Sequence, residues 1–526
     1  MKNTEKQFII TRYMKFTLKK LDLEKSLGSL KKSSFTAESL IITEFQQDKK
    51  KPSLSSLFTC IDKRLNGYLS DSIREEEFEF KAAETLVIKL NSAERFNLDM
   101  QNTKKIILVG LGEEKDFNKK NERKAIASLV RKVKAEKLKS FAIKAVQDLS
   151  LLVETSILID YEFTKYKTEP KKDKKELEEV LILSETASAK EKEIISKAEI
   201  IANATNKARD LVWEPACVVT PSYLAKEAKK IKAENLTVKV LEKADCEKLK
   251  MGSYLAVSLG SDEPPKFIEI SYIPKGKIKK HIAIVGKGVT FDSGGLSLKP
   301  AKAMEMMKED MSGAAATIAI MTAISQLQPA GVQVTGIIAA TENMPSGKAY
   351  RPGDVITAMN GKTIEVNNTD AEGRLTLADA VAYVSTKNPD EIIDIATLTG
   401  ACITALGNVC AGLMTNNQAL LDRVKAAAEE QGERMWQLPL YDEYKEKLKS
   451  TIADLINAGS GGQAGAQNGG LFIKEFIGKK PRSEEQIPWL HIDIAGPCWF
   501  EDAQDWSPNG ASGIPVRTLL AYILSV

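Results

Sequence analysis

The chain has 526 residues, 43% hydrophobic and 28% charged, with 75 Lys and Arg against 71 Asp and Glu. That is the composition of an ordinary soluble protein long enough for two domains with sizeable cores. Only two histidines occur, His281 and His491, so a His-Glu-x-x-His zinc site is excluded, and a Ser-His-Asp triad would need one of two residues that sit in apolar, strand-like contexts.

At the N-terminus, Lys2, Glu5, Lys6, Arg12 and Lys15 leave only short apolar pieces, which argues against a secretory signal. Residues 1–190 are mildly basic, with 38 Lys and Arg against 30 Asp and Glu, and the remainder is mildly acidic. The lysine runs at 49–51 and 171–175 read as solvated faces or linkers, with nucleic-acid binding as the lesser reading. Apolar runs at 85–90, 105–109 and 141–145 predict strands, and a charged periodic segment at 118–138 predicts a helix. Together they give a smaller α/β N-terminal domain over residues 1–180, connected through the charged segment 168–179.

A helix at 188–211 then opens a larger domain over residues 181–526. Here strands at 281–285, 333–340 and 392–396 alternate with helices at 312–326 and 374–386. Alternation of this kind predicts a mostly parallel central sheet flanked by helices, with ligands at the carboxyl ends of its strands. The uncharged stretches 311–341 and 395–421 are long enough to raise a membrane span, but Gln328-Pro329-Ala330-Gly331 cuts the first and several Gly, Thr and Asn residues the second. Both read as buried pieces of a large core. Cys60, Cys217, Cys246, Cys402, Cys410 and Cys498 form no Cys-x-x-Cys pair, which fits a reducing cytoplasm.

Two polar clusters carry chemistry. In Asn367-Asn368-Thr369-Asp370-Ala371-Glu372-Gly373-Arg374-Leu375, two carboxylates and a guanidinium fall within five residues. Asp370 and Glu372 can turn toward one hard cation with Arg374 holding an anion nearby, or they can cap the helix that follows; alone, the segment leaves these readings even. Upstream, Lys287, Asp292 and Lys299 lie in a glycine-rich stretch, Gly286 to Pro300, which reads as a loop after the strand at 281–285. Asp310 follows at the head of the next helix. Asp292, Asp310, Asp370 and Glu372 would be enough oxygen ligands for two divalent ions that activate water. A phosphate cradle is the competing reading of Gly-Lys-Gly, but the spacing is wrong for a P-loop and Asp292 would repel phosphate.

With these segments on view, the chain resembles the leucyl aminopeptidase family, the cytosol aminopeptidases, from about Arg209 onward. Further matching segments are Glu342-Asn343-Met344-Pro345-Ser346-Gly347, Arg351-Pro352-Gly353-Asp354, Ala396-Thr397-Leu398-Thr399-Gly400-Ala401 and His491-Ile492-Asp493-Ile494-Ala495-Gly496. The N-terminal third resembles nothing as specifically.

The resemblance implies a metal-dependent exopeptidase that removes leucine or another bulky apolar residue from a free peptide N-terminus. It implies that Lys287, Asp292, Asp310, Asp370 and Glu372 ligate two divalent ions, manganese or zinc. Lys299 would polarise the scissile carbonyl, and Arg374 would hold a bicarbonate acting as general base. Lys287 would then have to be a neutral amine while Lys299 stays charged. Met307, Thr397, Leu398, Gly400 and Ala495 would line the first side-chain pocket. A homohexamer is implied too, in keeping with the cytoplasm expected from the cysteines and the absence of membrane association expected from the interrupted apolar stretches, and some relatives bind DNA. Departures are Cys498 where a methionine is expected, and Trp213 and Cys217 where asparagines flank Glu214-Pro215. The alternatives are another two-metal hydrolase, such as a phosphoesterase, and a DNA-binding regulatory protein with a secondary peptidase role.

Overall fold

Alternating apolar residues build two large sheets, each in its own unit of the chain. The computed structural model describes residues 14–21, 36–46, 54–98, 100, 102–168 and 176–526. The lysine runs 49–51 and 171–175, the N-terminal charges Lys2, Glu5, Lys6 and Arg12, and part of the connection at 168–179 lie outside the described residues. One unit is Met1–Ala202 with Gln504–Pro508, and the other Asn203–Ala503 with Asn509–Val526.

The first unit holds β1 (Lys15–Lys20), β2 (Ser39–Glu44), β3 (Thr85–Lys89), β4 (Lys105–Gly110), β5 (Ser140–Lys144) and β6 (Glu179–Ser184). Their order is β1-β6-β5-β2-β4-β3, parallel except where β3 runs antiparallel to β4. Period-two alternation divides the side chains between two faces. On one, Leu40, Ile42, Ile106 and Leu108 meet Leu57, Phe58 and Ile61 of helix α1 (Ser56–Arg64). On the other, Val109 and Ile143 face Ile126 and Leu129 of α2 (Lys119–Ala135). Asn118, whose side chain accepts from the amides of Lys120 and Asn121, starts α2 where capping chemistry expects a start. Helix α3 (Leu149–Asp160) follows β5 and packs on α2. The predicted strands and the helix of this region are all present; β1, β2, β6, α1 and α3 gave no signal that was picked up from sequence.

In the second unit the strands are β7 (Leu236–Leu241), β8 (Lys266–Tyr272), β9 (Lys280–Asp292), β10 (Val332–Asn343), β11 (Val355–Thr357), β12 (Thr363–Glu365), β13 (Glu391–Ala396), β14 (Ala411–Thr415), β15 (Met435–Gln437), β16 (Leu455–Ile456) and β17 (Trp489–Asp493). The main sheet runs β15-β14-β17-β13-β9-β10-β8-β7, with β17, β13, β9 and β10 parallel to one another at its centre. β11, β12 and β16 form a separate small sheet. Helix α4 (Ala189–Trp213) runs from the first unit into the second, whose helices include α5 (Ser312–Leu327), α6 (Gly373–Ser385) and α7 (Gly465–Lys474). Two α/β units, the larger with a mostly parallel sheet flanked by helices, is the fold class the sequence predicts.

One expectation is corrected. Lys287 and Asp292 do not sit in a loop after a five-residue strand, because β9 continues through Gly286-Lys287-Gly288 to Asp292. The glycines there serve close packing, not a turn. A Cβ on Gly286 would lie 2.4 Å from the Gly313 carbonyl oxygen, and one on Gly313 would lie 2.1 Å from that of Ile395, so α5 presses directly onto β9 and β13. The turn begins later, at Gly294 and Gly295, whose φ values of +86° and +65° favour glycine. Ala283 and Val285 face α6 in the core with Leu375 and Leu377, and alternation carries Lys287 onto that same face.

Candidate active site

The four central strands end together, and their carboxyl ends supply the site. Asp292 closes β9, Asn343 closes β10, Thr397 follows β13 and Asp493 closes β17. Asp310 stands just ahead of α5, and Glu372 is the residue before α6 begins. Lys287, Asp292, Asp310 and Glu372 are all buried.

Two lysines lie between the carboxylates. Lys287 Nζ is 2.7 Å from Asp310 Oδ1 and 2.9 Å from Glu372 Oε1, and it donates to the Thr397 carbonyl at 3.0 Å. Lys299 Nζ is 2.9 Å from Asp292 Oδ2 and 2.6 Å from Asp370 Oδ1. Carboxylate oxygens of Asp292, Asp310 and Glu372 fall within 4.8 Å of one another; Asp370 joins them through Lys299 and is the more exposed. All five proposed ligands and Lys299 are therefore brought into one place from three separate stretches of chain.

Burial alone pushes Lys287 down, but Asp310, Glu372 and Asp292 reverse this and hold it above its ordinary value. Lys299 is raised in the same way, burial being outweighed by Asp292 and Asp370. Burial raises Asp310 well above the usual carboxylate range, and raises Glu372 and Asp370 as well. Carboxylates are the charges around both lysines, and further positive charge beside Lys287 would lower it.

The donor set fits hard divalent cations: carboxylate oxygens with one amine. Asp310 Oδ2 and Glu372 Oε2 are buried without a hydrogen-bond partner, a costly state that a cation would relieve.

Around this centre a network fixes the carboxylates. Asp292 Oδ1 accepts from the Gly294 amide at 2.9 Å and from Asn343 Nδ2 at 2.8 Å, and the same Asn343 amide group reaches the Thr369 carbonyl at 3.0 Å. Thr369 donates to the Gly294 carbonyl and accepts from the Ser297 amide, both at 2.7 Å, binding the two polar stretches together. Asn457, which follows β16, caps the Asp370 turn by donating to the Asn368 carbonyl at 2.6 Å and accepting from the Asn367 amide at 2.9 Å. Its own carbonyl receives Arg374 Nη1 at 2.9 Å. Arg374 is buried, its Nε has no partner, and burial pushes it down to about 10 against the pull of Glu372 and Asp493. Asn343 lies inside Glu342-Asn343-Met344-Pro345-Ser346-Gly347 but nothing local marks it as part of this network, and Asn457 is marked in the sequence only by an Asn-Ala-Gly-Ser turn.

Of the five expected pocket residues, Thr397 is tied to the centre directly, since its hydroxyl donates to Asp310 Oδ1 at 2.8 Å. Met307 precedes Asp310 by one short turn. The Leu398 and Ala495 amides both donate to Asp493 Oδ1 at 3.1 Å, and Thr399, next to Gly400, donates to Asp493 Oδ2 at 2.8 Å. Cys498 is buried with its thiol on the Ala495 carbonyl at 3.4 Å, beside Glu309. Both histidines are core residues: His281 bonds Thr335, and His491 bonds Asp394 at 2.5 Å.

The catalytic-domain model of the cytosol aminopeptidase family matches residues 206–520, and its N-terminal-domain model matches residues 41–170. The chain belongs to the cytosol aminopeptidase family. A probable cytosol aminopeptidase of a Sulfurihydrogenibium species is 42% identical over 513 residues, covering 95% of this chain and 98% of the relative. One from Aquifex aeolicus is 45% identical, covering 80% and 85%. Among solved structures, a mutant tomato leucine aminopeptidase superposes with a TM-score of 0.85 at 34% identity over 99% of this chain and 98% of that one. The bottromycin maturation enzyme BotP in complex with Mn gives 0.78 at 29% identity, covering 93% and 99%. As a cytosol aminopeptidase family member the chain is a peptidase and hydrolase, and metal dependence is a property of the family. The N-terminal third, unassigned by motif, is matched as the family's own N-terminal domain. Among the described residues no helix is long and apolar enough to cross a membrane.

Proposed function

We propose that this aminopeptidase removes a leucine or other bulky apolar residue from the free N-terminus of peptides, using two divalent ions, manganese or zinc, held by Lys287, Asp292, Asp310, Asp370 and Glu372. The observation that carries this is the convergence of four carboxylates at the strand ends with two of their buried oxygens unpartnered. Bound there, divalent ions supply a hydroxide near neutral pH and take up charge developing on the substrate oxygen.

The chain's own residues have these parts. Lys287 would release its proton to act as a ligand once divalent cations, in place of its own ammonium group, neutralise the surrounding carboxylates. Lys299, already held as an ammonium ion by Asp292 and Asp370, polarises the scissile carbonyl. Arg374, with Nη1 fixed on Asn457 and a free buried Nε, holds a bicarbonate that takes the proton from the attacking water. Met307, Thr397, Leu398, Gly400 and Ala495 receive the first side chain, and Cys498 enlarges that pocket. Catalysis belongs to residues 181–526, with 1–180 as the N-terminal domain of a cytoplasmic homohexamer.

The test is metal analysis with an aminoacyl-amide panel on wild type and Asp370→Ala. Metal uptake with leucyl-amide turnover in the wild type, and loss of both in the variant, is expected. Full activity in Asp370→Ala, or turnover of phosphate esters in place of amides, would overturn the proposal. Light scattering checks the hexamer.

A further inference from the structure

The N-terminal unit contains a cavity of about 270 Å³ that the peptidase chemistry does not use. Its position is set by topology. β2 and β4 are parallel neighbours, yet β2 leads to α1 on one face of the sheet and β4 leads to α2 on the other. Where adjacent strands send their chains to opposite faces, a crevice opens outside their carboxyl ends, the common ligand position in open α/β sheets. The cavity is there: Thr43 and Glu44 end β2, Val109 belongs to the end of β4, and Ala145 follows β5.

Its lining has two parts. Apolar walls come from residues such as Ile126, Leu129 and the edge-to-face pair Phe45 and Phe117, whose ring centroids are 5.1 Å apart. Against these stand Glu44 and Glu122, 5% and 6% exposed, from separate elements. Glu44 accepts from the amide of Ser55 at 3.1 Å and from its hydroxyl. Glu122 has Asp148 close by, itself paired with Lys119 at 3.5 Å. No Lys, Arg or His is among the described residues lining the cavity. Burial is the largest influence on both glutamates and raises them above their ordinary value, offset in part by Ser55 at Glu44 and by Lys119, Arg123 and the Asp148 amide at Glu122.

We infer that this cavity is a small-molecule site for a primary amine with an apolar body, its ammonium group taken by Glu44 and Glu122 and its hydrocarbon part by the aromatic and aliphatic wall. Buried carboxylates are satisfied by a paired cation. A free amino acid fits less well, because nothing in the lining answers its carboxylate. The volume holds on the order of nine water-sized groups, which limits the ligand to a short aliphatic or single-ring amine.

The probe is isoamylamine, titrated into the full-length protein by calorimetry, with isoamyl alcohol as the uncharged isostere and leucine as the zwitterion. Saturable amine binding is expected in wild type and equally in Asp370→Ala, which separates this cavity from the peptidase site. Glu44→Gln and Glu122→Gln should each weaken it about tenfold or more while retaining peptidase activity and the wild-type melting profile. Should either variant melt early, Ala125→Val, which narrows the cavity without touching the carboxylates, provides the second reading through reduced affinity. The inference is overturned if the alcohol binds as tightly as the amine, if both Gln variants bind normally, if Asp370→Ala abolishes binding, or if no saturable binding is seen.

Discussion

Gly373→Ala isolates the placement of Lys287 from every other property of the site. In helix terms the change is favourable, since Ala exceeds Gly by up to about 1 kcal/mol inside a helix, and Gly373 begins α6. Against this, the new Cβ would lie 2.4 Å from Lys287 Cε and 2.5 Å from Nζ. Restoring ordinary contact at about 3.5 Å moves the end of that side chain by about 1 Å. A free lysine tip would swing away at little cost. This one is fixed by Asp310, Glu372 and the Thr397 carbonyl, so it can retreat only by stretching those bonds. Overpacking of this kind costs about 1–3 kcal/mol, enough to cancel the helix gain. A misplacement of about 1 Å in a catalytic constellation can cost roughly a hundredfold in rate. The expected outcome is a fall of about 10² in kcat/KM on a leucyl amide, with a melting temperature at or slightly below wild type. Gly347→Ala is the control, because its Cβ meets nothing within 4 Å. If Gly373→Ala stays within about threefold of wild type under metal-saturated conditions, the placement of Lys287 is not what the site depends on.

Asn343→Ala removes one donor shared by Asp292 and the Thr369 carbonyl, and should lower metal affinity or turnover by roughly 10–100-fold, read by competitive chelation. Cys498→Met refills the proposed pocket; the ratio of phenylalanyl-amide to alanyl-amide turnover should fall by about tenfold or more, and an unchanged ratio would remove Cys498 from the pocket. Asp379, buried beneath the site with its carboxylate on the amides of Tyr254 and Met359, is pushed up to about 7 by burial against a usual 3.8. The folded state therefore holds this proton more tightly than the unfolded state, and the stability linked to it is complete below 3.8 and lost as pH rises through about 7. Denaturant midpoints should fall across that window in wild type and less steeply in Asp379→Asn, whose midpoint is lower throughout because a buried amide faces an NH2 group, at about 1–3 kcal/mol.

Legibility in the sequence followed the strength of local pattern. The strands β3, β4 and β5 and helix α2 were readable because apolar periodicity and the Asn118 cap are local signals. The end of β9 was misread because Gly286-Lys287-Gly288 carries the composition of a turn. What decides its conformation is the Gly313 carbonyl 2.4 Å from where a Cβ would be, a contact made by a helix twenty-seven residues away in sequence and invisible to any window.

The site divides along the same line. Charged residues crowded into short segments, Asp370 with Glu372 or Lys287 with Asp292, advertise themselves, and the family resemblance supplied their roles. The residues that aim them do not. Asn457 comes from the far end of the small sheet and holds Asn367 and Asn368 through a side-chain amide that any loop asparagine possesses, and Arg374 through its backbone carbonyl. Its importance lies in being buried and fully engaged, which is a property of the folded chain. An Asn457→Ala variant should for that reason disturb both halves of the site at once: the Asp370 turn loses its cap and Arg374 loses the loop that positions its partner carbonyl. A loss of metal without a loss of the Arg374-dependent step, or the reverse, would show that the two halves are held independently and that Asn457 is only a turn residue.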